Sequence, residues 1–211
     1  MRFGVDEAGK GPVLGSMFAA AVVAAPSQLP DDVGDSKDVA PARRAALADE
    51  IRDRALAVSV AEVPVSRIDD PETDMNSLTV AAHADALGAV ARDGLSGVVD
   101  AGDVDAARFG RRVAAGVDAA VDVTAEHGAD ASDTVVGAAS IVAKEAREAH
   151  VGALAERHGD VGSGYPSDPA TRAFLREFVA AEGRLPDCAR ASWATSRDVL
   201  AASEQSSIGE F

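Results

Sequence analysis

The sequence predicts an α/β protein built on a mixed sheet, with a helical part at its C-terminal end. Strand-like and helix-like segments alternate along the first 158 residues, and only helical patterns follow. The chain has 211 residues, of which 47% are hydrophobic, which is enough for the core of one domain. Aromatic residues make up only 4%, so alanine, valine and leucine must fill most of that core.

The strand predictions rest on short apolar runs. Residues 2–6 are predicted to form the first strand, and this strand should end near Glu7, because Asp6 and Glu7 cannot point the same way within a regular strand. Residues 15–24 are small and continuously apolar, which predicts a central strand antiparallel to the first. Shorter runs predict three further strands, at residues 57–65, 97–100 and 119–125.

Capping residues mark the predicted helices. The clearest helix has Asp168 as its N-cap, Pro169 at its first position and Gly183 beyond its end. A helix at residues 41–55 also begins with proline, but Ala40 is a poor N-cap that costs about 1 kcal/mol relative to serine or threonine. Three further helices are predicted at residues 75–92, 137–158 and 190–202, and residues 126–135 are expected to form an acidic loop.

The formal net charge of −15 admits two interpretations. A polyanion normally repels nucleic acid. However, lysine occurs only at positions 10, 37 and 144, and acids are abundant, a profile that resembles proteins of organisms with molar internal salt. At about 1 M salt the Debye length is only about 3 Å, so net charge says little about partners. We expect a halophilic protein in which local contacts decide binding.

The expected location is the cytoplasm. The single cysteine, Cys188, excludes an internal disulfide, which fits a reducing compartment. No stretch reaches the roughly 18 apolar residues of a transmembrane helix, and the N-terminus lacks a secretory signal pattern. We therefore expect no membrane partner. A monomer is the expected state.

Four acidic residues stand at the ends of predicted elements: Asp6, Glu7, Asp100 and Asp130. Carboxylates that cluster repel one another unless cations lie between them, and oxygen-only ligands suit Mg²⁺ or Mn²⁺. Two such ions about 4 Å apart can activate water and stabilise the leaving oxygen of a phosphodiester. The alternative is that these are ordinary surface acids, and Asp133 competes with Asp130 as the fourth ligand.

Several motifs, in order, resemble one family. They begin with Asp6-Glu7-Ala-Gly-Lys-Gly-Pro12, Asp35-Ser-Lys37 and Val99-Asp-Ala-Gly-Asp103. They continue with His127-Gly-Ala-Asp130 and the following residues 135–144, Gly162-Ser-Gly-Tyr-Pro-Ser-Asp-Pro169, and Ser192-Trp193. The set extends through nearly the whole chain and resembles ribonuclease H type 2 (ribonuclease HII) in its archaeal form.

The resemblance implies an RNase H-like fold, with a five-stranded mixed sheet flanked by helices, and a metal-dependent endoribonuclease. It implies cleavage of the RNA strand of RNA–DNA hybrids and incision 5′ to ribonucleotides embedded in duplex DNA, leaving 3′-hydroxyl and 5′-phosphate ends. The family's catalytic, metal-binding acids match Asp6, Glu7, Asp100 and Asp130, with two Mg²⁺ or Mn²⁺ ions in the active complex. Residues 1–158 would form the catalytic domain and residues 159–202 a helical substrate-binding part.

The resemblance also implies a ribose-binding loop. Gly9, Lys10 and Gly11 match a loop that reads the ribose 2′-hydroxyl and the phosphates at an RNA–DNA junction. Tyr165, the only tyrosine, matches a residue that stacks under the junction sugar. Its alternative role is to pack on its own loop.

Two further pairs are candidate substrate contacts. Ser140 and Lys144 are four residues apart and share a helix face, which we expect to meet a phosphate, although Lys144 could instead pair with Glu148. Ser36 and Lys37 are expected to touch the DNA strand.

Residues 203–211 are predicted to form a flexible tail with a partner-binding motif. Gln205, Ile208 and Phe211 follow one another at intervals of three, so one 3₁₀-like turn would present them on one side. This pattern resembles the sliding-clamp-binding box, although that box commonly ends in two aromatic residues. The alternative is a disordered C-terminus or a cloning remnant.

Two other functions stay open at this point. Another RNase H-like metal-dependent nuclease, such as an exonuclease or a junction resolvase, would share the acids but cut all-DNA substrates. A non-catalytic module tethered to a sliding clamp would carry the acids only as halophilic surface, and would bind the clamp without cleaving nucleic acid.

Overall fold

The computed structural model describes residues 1–35 and 40–208 of the chain. Its strands are β1 (Arg2–Ala8), β2 (Met17–Ala24), β3 (Ala57–Val63), β4 (Ser96–Asp100) and β5 (Asp122–Glu126). Its helices are α1 (Pro41–Arg54), α2 (Val65–Ile68), α3 (Met75–Gly88), α4 (Ala106–Ala115), α5 (Ala129–Ser132), α6 (Thr134–His158), α7 (Pro169–Glu182) and α8 (Ala194–Ile208), and 3₁₀ turns lie at Pro26–Gln28 and Asp31–Asp35.

The five strands form one sheet in the order β3-β2-β1-β4-β5. β1 is antiparallel to β2 along its whole length, and it is parallel to β4, which in turn is parallel to β5. The sheet is therefore mixed, and the predicted fold class is confirmed. The parallel pairing of β1 with β4 brings the carboxyl ends of two acid-bearing strands to the same edge.

The first strand is longer than the sequence predicts. β1 pairs with β2 as far as Ala8, which lies opposite Phe18, so both Asp6 and Glu7 belong to the ladder. The strand extends two residues beyond the predicted range of 2–6, because β2 offers it a pairing partner as far as Ala8, and the prediction that it ends near Glu7 is confirmed to within one residue.

Several helix boundaries also differ from the predictions. α6 begins at Thr134, and the segment that carries Asp130 is the short helix α5 rather than a loop. Helix α4 was missed: Asp105 caps its N-terminus, but Gly110, a poor helix former, lies in its middle. α8 ends at Ile208 rather than at residue 202, because alanine, serine, glutamate and glutamine continue the helix and no glycine or proline interrupts it.

The chain divides into two compact units. Unit 1 comprises the described residues of Met1–Ala8, Phe18–Glu62 and Asp74–Arg147. Unit 2 comprises Gly9–Met17, Val63–Thr73 and the described residues from Glu148 onward. The units therefore alternate along the sequence, and the domain boundaries predicted at residues 158 and 202 stay predictions.

Each unit has its own hydrophobic core. In unit 1, small residues of β2 pack with α1 and α6, and the largest contributors include Leu47, Ile51 and Ile141. In unit 2, Leu14, Leu154 and residues of α7 form the core. Alanine and valine fill much of the unit 1 core, as the aromatic-poor composition predicts. Within the described parts of the chain, none of the helices combines the length and apolar character that a membrane crossing requires.

Helix α1 offers a simple test of stability. Its N-cap, Ala40, makes no side-chain capping bond. Ala40→Ser should add a bond to a free backbone N–H and stabilise the protein by about 1 kcal/mol, or about 2–4 °C in Tm, measured by thermal unfolding in molar KCl. The matched control is Ala46→Ser, the same change at an exposed position inside the helix, which should not stabilise. Equal shifts for both variants would contradict the capping argument.

Candidate active site

Three carboxylates converge where β1 and β4 end. The parallel register pairs Val5 with Val99, so the next pair along the two strands is Asp6 and Asp100. Ligand oxygens of Asp6, Glu7 and Asp100 lie within 4.8 Å of one another. Oxygen-only donors at this spacing are the set that Mg²⁺ and Mn²⁺ prefer.

The electrostatics of the three carboxylates fit a bound cation. Burial raises the pKa of Asp6 well above its usual range, and the charges of Glu7 and Asp100 raise it further. The pKa of Asp100 is also raised, first by burial and then by the charges of Glu7 and Asp130, while the backbone N–H of Ala129 opposes the rise by donating to Oδ1 at 2.6 Å. A divalent cation would offset this repulsion, so the residues present suit a metal site.

The structure distinguishes the two candidates for the fourth acid. Asp130 is buried, its charge reaches Asp100, and its Oδ2 lies 3.9 Å from Nζ of Lys144. Among the described residues, the carboxylates that come within 4.8 Å of one another are those of Asp6, Glu7 and Asp100, and Asp130 lies outside this trio. Asp133 instead accepts from two backbone N–H groups at the start of α6 and pairs with Arg2 at 2.7 Å. The geometry therefore favours Asp130 as the acid beside the trio.

Helix α6 brings Ser140 and Lys144 to this acid cluster. A Cβ on Gly4 would lie 2.4 Å from the backbone of Val135, so only glycine lets the helix approach β1 this closely. The buried hydroxyl of Ser140 lies beside Asp6 and partly opposes the rise in its pKa, although Ser140 Oγ has no partner within hydrogen-bond geometry among the described residues. Lys144, whose side chain is 30% exposed, supplies a positive charge there.

Sequence reasoning missed His83 as a residue of this site. His83 is fully buried in α3, and its Nε2 lies 2.8 Å from Oε2 of Glu7. When Glu7 is ionised its carboxylate can only accept a hydrogen bond, so Nε2 is then the donor in this pair. The ring also packs against Phe109 in a T-shaped arrangement, at a centroid distance of 5.1 Å. An isolated histidine in an apolar helix gives no sequence signal for this role.

Unit 2 contains the Gly9-Lys10-Gly11 loop. Gly9 follows Ala8, the last residue of β1, and has a φ of 91°, which favours glycine. A Cβ added to Gly11 would lie 3.8 Å from Cε1 of Tyr165, so the tyrosine ring lies close to the backbone of the loop. Tyr165 is 38% exposed. The backbone of the loop and a partly exposed aromatic ring are therefore neighbours within unit 2.

The segment that carries Tyr165 is tightly held within unit 2. The carbonyl of Gly164 accepts from the backbone N–H groups of Val13 and Leu14, at 2.8 and 3.2 Å. The N–H of Gly164 donates to Oγ1 of Thr171, which is buried. Tyr165 therefore projects from a fixed backbone, and packing on its own loop does not bury it.

Arg190 and Trp193 are the second group that sequence reasoning missed. Arg190 is fully buried and donates to the carbonyls of Gly9, Lys10 and Gly15, while Nε1 of Trp193 donates to the carbonyl of Gly11 at 3.2 Å. The only available signal was the position of Arg190 just before Ser192-Trp193.

The remaining candidates fall at the margins of the described chain. Gln205 is exposed in α8, and Ile208 is the last residue of that helix. Gln205 is α-helical, and the predicted 3₁₀-like turn, which would continue to Phe211 beyond the described residues, stays a prediction. Ser36, Lys37 and Phe211 lie outside the described residues.

Comparison with known proteins assigns the chain to a family. The family model described as "Ribonuclease HII" matches residues 3–196. A protein of Haloarcula marismortui named "Ribonuclease HII" is 68% identical over the full length of both chains. The similarity to a haloarchaeal relative agrees with the halophile interpretation of the acidic, lysine-poor composition.

Two solved structures share the fold over nearly the whole chain. The crystal structure of ribonuclease H2 from Pyrococcus horikoshii OT3 has a TM-score of 0.88 at 34% identity, covering 96% of this chain and 98% of that one. The RNase HII in the PCNA:RNase HII complex from Archaeoglobus fulgidus has a TM-score of 0.83 at 36% identity, covering 92% and 95%. Together with the converging carboxylates, these matches show that the chain belongs to the archaeal ribonuclease HII family of metal-dependent hydrolases.

Proposed function

We propose that this enzyme cleaves the RNA strand of RNA–DNA hybrids and incises duplex DNA 5′ to embedded ribonucleotides. The observation that carries the proposal is the convergence of Asp6, Glu7 and Asp100 within 4.8 Å in a chain that matches the ribonuclease HII model over residues 3–196. The high net charge does not oppose nucleic-acid binding, because molar salt screens it beyond about 3 Å.

The acids of unit 1 would hold the metal. Asp6, Glu7 and Asp100, with Asp130 beside them, would bind two Mg²⁺ or Mn²⁺ ions. The bound ions would supply Lewis-acid stabilisation of the phosphate charge and an activated water, leaving 3′-hydroxyl and 5′-phosphate ends. His83 holds one oxygen of Glu7 by a hydrogen bond, which leaves the other oxygen to act as a ligand.

Residues of this chain would also bind and orient the substrate. Lys144 offers its ammonium group to a phosphate near Asp130. In unit 2, the surface formed by Gly11 and the neighbouring ring of Tyr165 would receive the ribose, with Lys10 contacting a neighbouring phosphate. Only Ala8 separates Glu7 from Gly9 in the sequence, so a single backbone segment joins the acids to the ribose-binding loop.

The decisive experiment compares three duplexes in molar KCl with Mg²⁺ or Mn²⁺: one with a single ribonucleotide, one RNA–DNA hybrid and one of DNA alone. We expect incision 5′ to the ribonucleotide, cleavage of the hybrid's RNA strand and no cleavage of DNA. Sequencing-gel mobility and end-labelling would identify the cut position and the terminal groups. Cleavage of the all-DNA duplex would favour another RNase H-like nuclease, and no cleavage of any duplex would favour the non-catalytic binding module.

The role of His83 gives a prediction about metal affinity. His83→Leu removes the donor to Glu7, and we expect the affinity for Mn²⁺, measured by calorimetry, to fall about 10–100-fold. His83→Gln can still donate an N–H and should retain more of that affinity. Unchanged Mn²⁺ affinity in His83→Leu would show that Glu7 needs no help from His83.

We also propose that the C-terminal segment binds the sliding clamp. A structural relative has been solved as a PCNA:RNase HII complex, and Gln205, Ile208 and Phe211 follow the spacing of a clamp-binding box. Truncation after Glu204 should abolish calorimetric binding to the halophilic clamp while leaving incision of a short duplex unchanged. The matched control is Glu204→Ala, which alters an exposed residue just before the box. Equal clamp affinity with and without residues 205–211 would overturn this proposal.

A further inference from the structure

Arg190 is the largest side chain that is fully buried in the described chain, and it lies against the Gly9-Lys10-Gly11 loop within unit 2. Its Nη2 donates to the carbonyl of Gly9 at 2.7 Å, and its Nη1 donates to the carbonyl of Lys10 at 3.0 Å. Its Nε donates to the carbonyl of Gly15 at 2.8 Å. One guanidinium therefore contacts both the start of the loop and the residues just after it.

The position of Arg190 is itself fixed from two sides. Its backbone N–H donates to the carbonyl of Val13 at 2.8 Å, and its guanidinium lies 4.8 Å from the centroid of the Trp193 ring. Trp193 in turn donates from Nε1 to the carbonyl of Gly11. All three residues of the loop thus have their carbonyl oxygens bound by the pair formed by Arg190 and Trp193.

A carboxylate anchors the segment between these two residues. Asp69 accepts from the backbone N–H of Ala191 at 2.7 Å and from the N–H and hydroxyl of Ser192. Asp69 belongs to the 63–73 segment of unit 2, so the Arg190–Trp193 stretch is held by a part of the chain distant in sequence. The side chains of Arg190 and Trp193, which bind the carbonyls of the loop, therefore extend from a backbone that Asp69 holds in place.

The direction of these bonds determines which groups the loop presents. In a trans peptide the N–H points opposite to the C=O. Because the carbonyls of Gly9 and Lys10 point toward the guanidinium, the N–H groups of the same two peptides, which belong to Lys10 and Gly11, point away from it. Two successive N–H groups on one side are suited to a sugar hydroxyl or a phosphate oxygen.

We propose that Arg190, assisted by Trp193, is a positioning residue that sets the specificity for ribonucleotides. It turns the backbone N–H groups of the Gly9-Lys10-Gly11 loop toward the substrate and keeps the loop opposite Tyr165. This inference rests on the proposed function and extends it to residues that do not touch the substrate. Lysine cannot replace Arg190, because a single ammonium group lacks the planar fork that spans three carbonyls.

The test measures binding rather than cleavage alone. In an Asp6→Asn background, the dissociation constants of a single-ribonucleotide duplex and of the same all-DNA duplex are compared in molar KCl. Arg190→Lys should lower the preference for the ribonucleotide duplex about 10-fold, because the loop loses two or more oriented hydrogen bonds. Mn²⁺ affinity of Arg190→Lys with Asp6 intact should be unchanged. Arg184→Lys, at an exposed arginine of the same unit, serves as the matched control.

A second variant keeps the test valid if Arg190→Lys does not fold. Trp193→Phe retains an aromatic ring against Arg190 but removes the donor to Gly11, and it should reduce the same preference by a smaller factor. If the Asp6→Asn protein with Arg190 and Trp193 unchanged does not prefer the ribonucleotide duplex, the proposed function fails. If that preference exists and survives both substitutions at positions 190 and 193, only the positioning role of Arg190 is overturned.

Discussion

Asp6→Asn is expected to lower the rate of ribonucleotide incision by about 1,000-fold and, at the same time, to raise the stability of the metal-free protein. Activity falls because the variant loses one of three converging carboxylates, and a loss of about 4 kcal/mol of metal-ion assistance corresponds to a factor of about 1,000. Stability rises because burial no longer opposes a charge, and because repulsion from Glu7 and Asp100 is removed. Gel-based incision rates and denaturant unfolding, both in molar KCl, measure the two effects.

The raised pKa of Asp6 also fixes the sign of the pH dependence. The folded protein keeps the Asp6 proton at pH values where the unfolded chain has released it. The free energy of unfolding of the metal-free protein should therefore fall as the pH rises from about 4 through the raised pKa of Asp6, and level off above it. Asp6→Asn should show a shallower fall, since Asp100 still contributes in the same direction. Saturating Mg²⁺ should reduce the slope in the wild-type protein.

Asp133→Ala is the control for Asp6→Asn, because it should lower stability and leave the incision rate largely unchanged. Asp133 caps α6 and pairs with Arg2, so its loss should destabilise the protein by about 1 kcal/mol and leave incision largely unchanged. A greater loss of incision in Asp133→Ala than in Asp130→Asn would instead identify Asp133 as the fourth ligand. A stability loss in Asp6→Asn would contradict the repulsion described for the acid cluster.

Tyr165→Ala is expected to reduce kcat/KM for a single-ribonucleotide duplex by about 10–100-fold. Stacking of a base on an aromatic ring contributes about 1–3 kcal/mol by alanine substitution, and we expect a similar contribution from the partly exposed ring of Tyr165, which lies beside Gly11. The backbone that carries Tyr165 is held by Val13, Leu14 and Thr171, so the fold should survive the change. Steady-state kinetics in molar KCl would measure the effect.

The matched variant for this prediction is Tyr165→Phe. It keeps the ring and removes only the hydroxyl, so it should retain most of the wild-type kcat/KM. Equal losses in the alanine and phenylalanine variants would assign the effect to the hydroxyl instead. Wild-type kinetics in Tyr165→Ala would mean that the ring takes no part in binding.

The sequence was most informative where the chemistry is local. Strands that end in carboxylates predicted the meeting of Asp6 with Asp100, because alternation and parallel pairing together determine which side chains share an edge. Caps likewise marked α7, where Asp168 and Gly183 lie at the predicted ends. These features depend on neighbours within a few residues or on one strand pairing.

The sequence was least informative where the contact partner is distant. The role of His83 depends on its contact with Glu7 of β1, which lies 76 residues away in the sequence. Nothing in the local sequence distinguishes Arg190 from the other arginines, because its role depends on contacts with the distant loop that contains Gly9. The limits of β1 and α6 also differ from the predicted ranges, because the ladder with β2 and the cap at Asp133 override the local pattern.

The separation between Arg190 and the loop also bears on how the protein is made. Arg190 follows Lys10 by 180 residues, so the loop that comes right after the first strand is completed by a segment that is synthesised much later. A nascent chain carries all four acids well before it has Arg190 and Trp193 to shape that loop. A chain that stops before residue 190 would thus keep its four carboxylates and lack both side chains that bind the carbonyls of Gly9, Lys10 and Gly11.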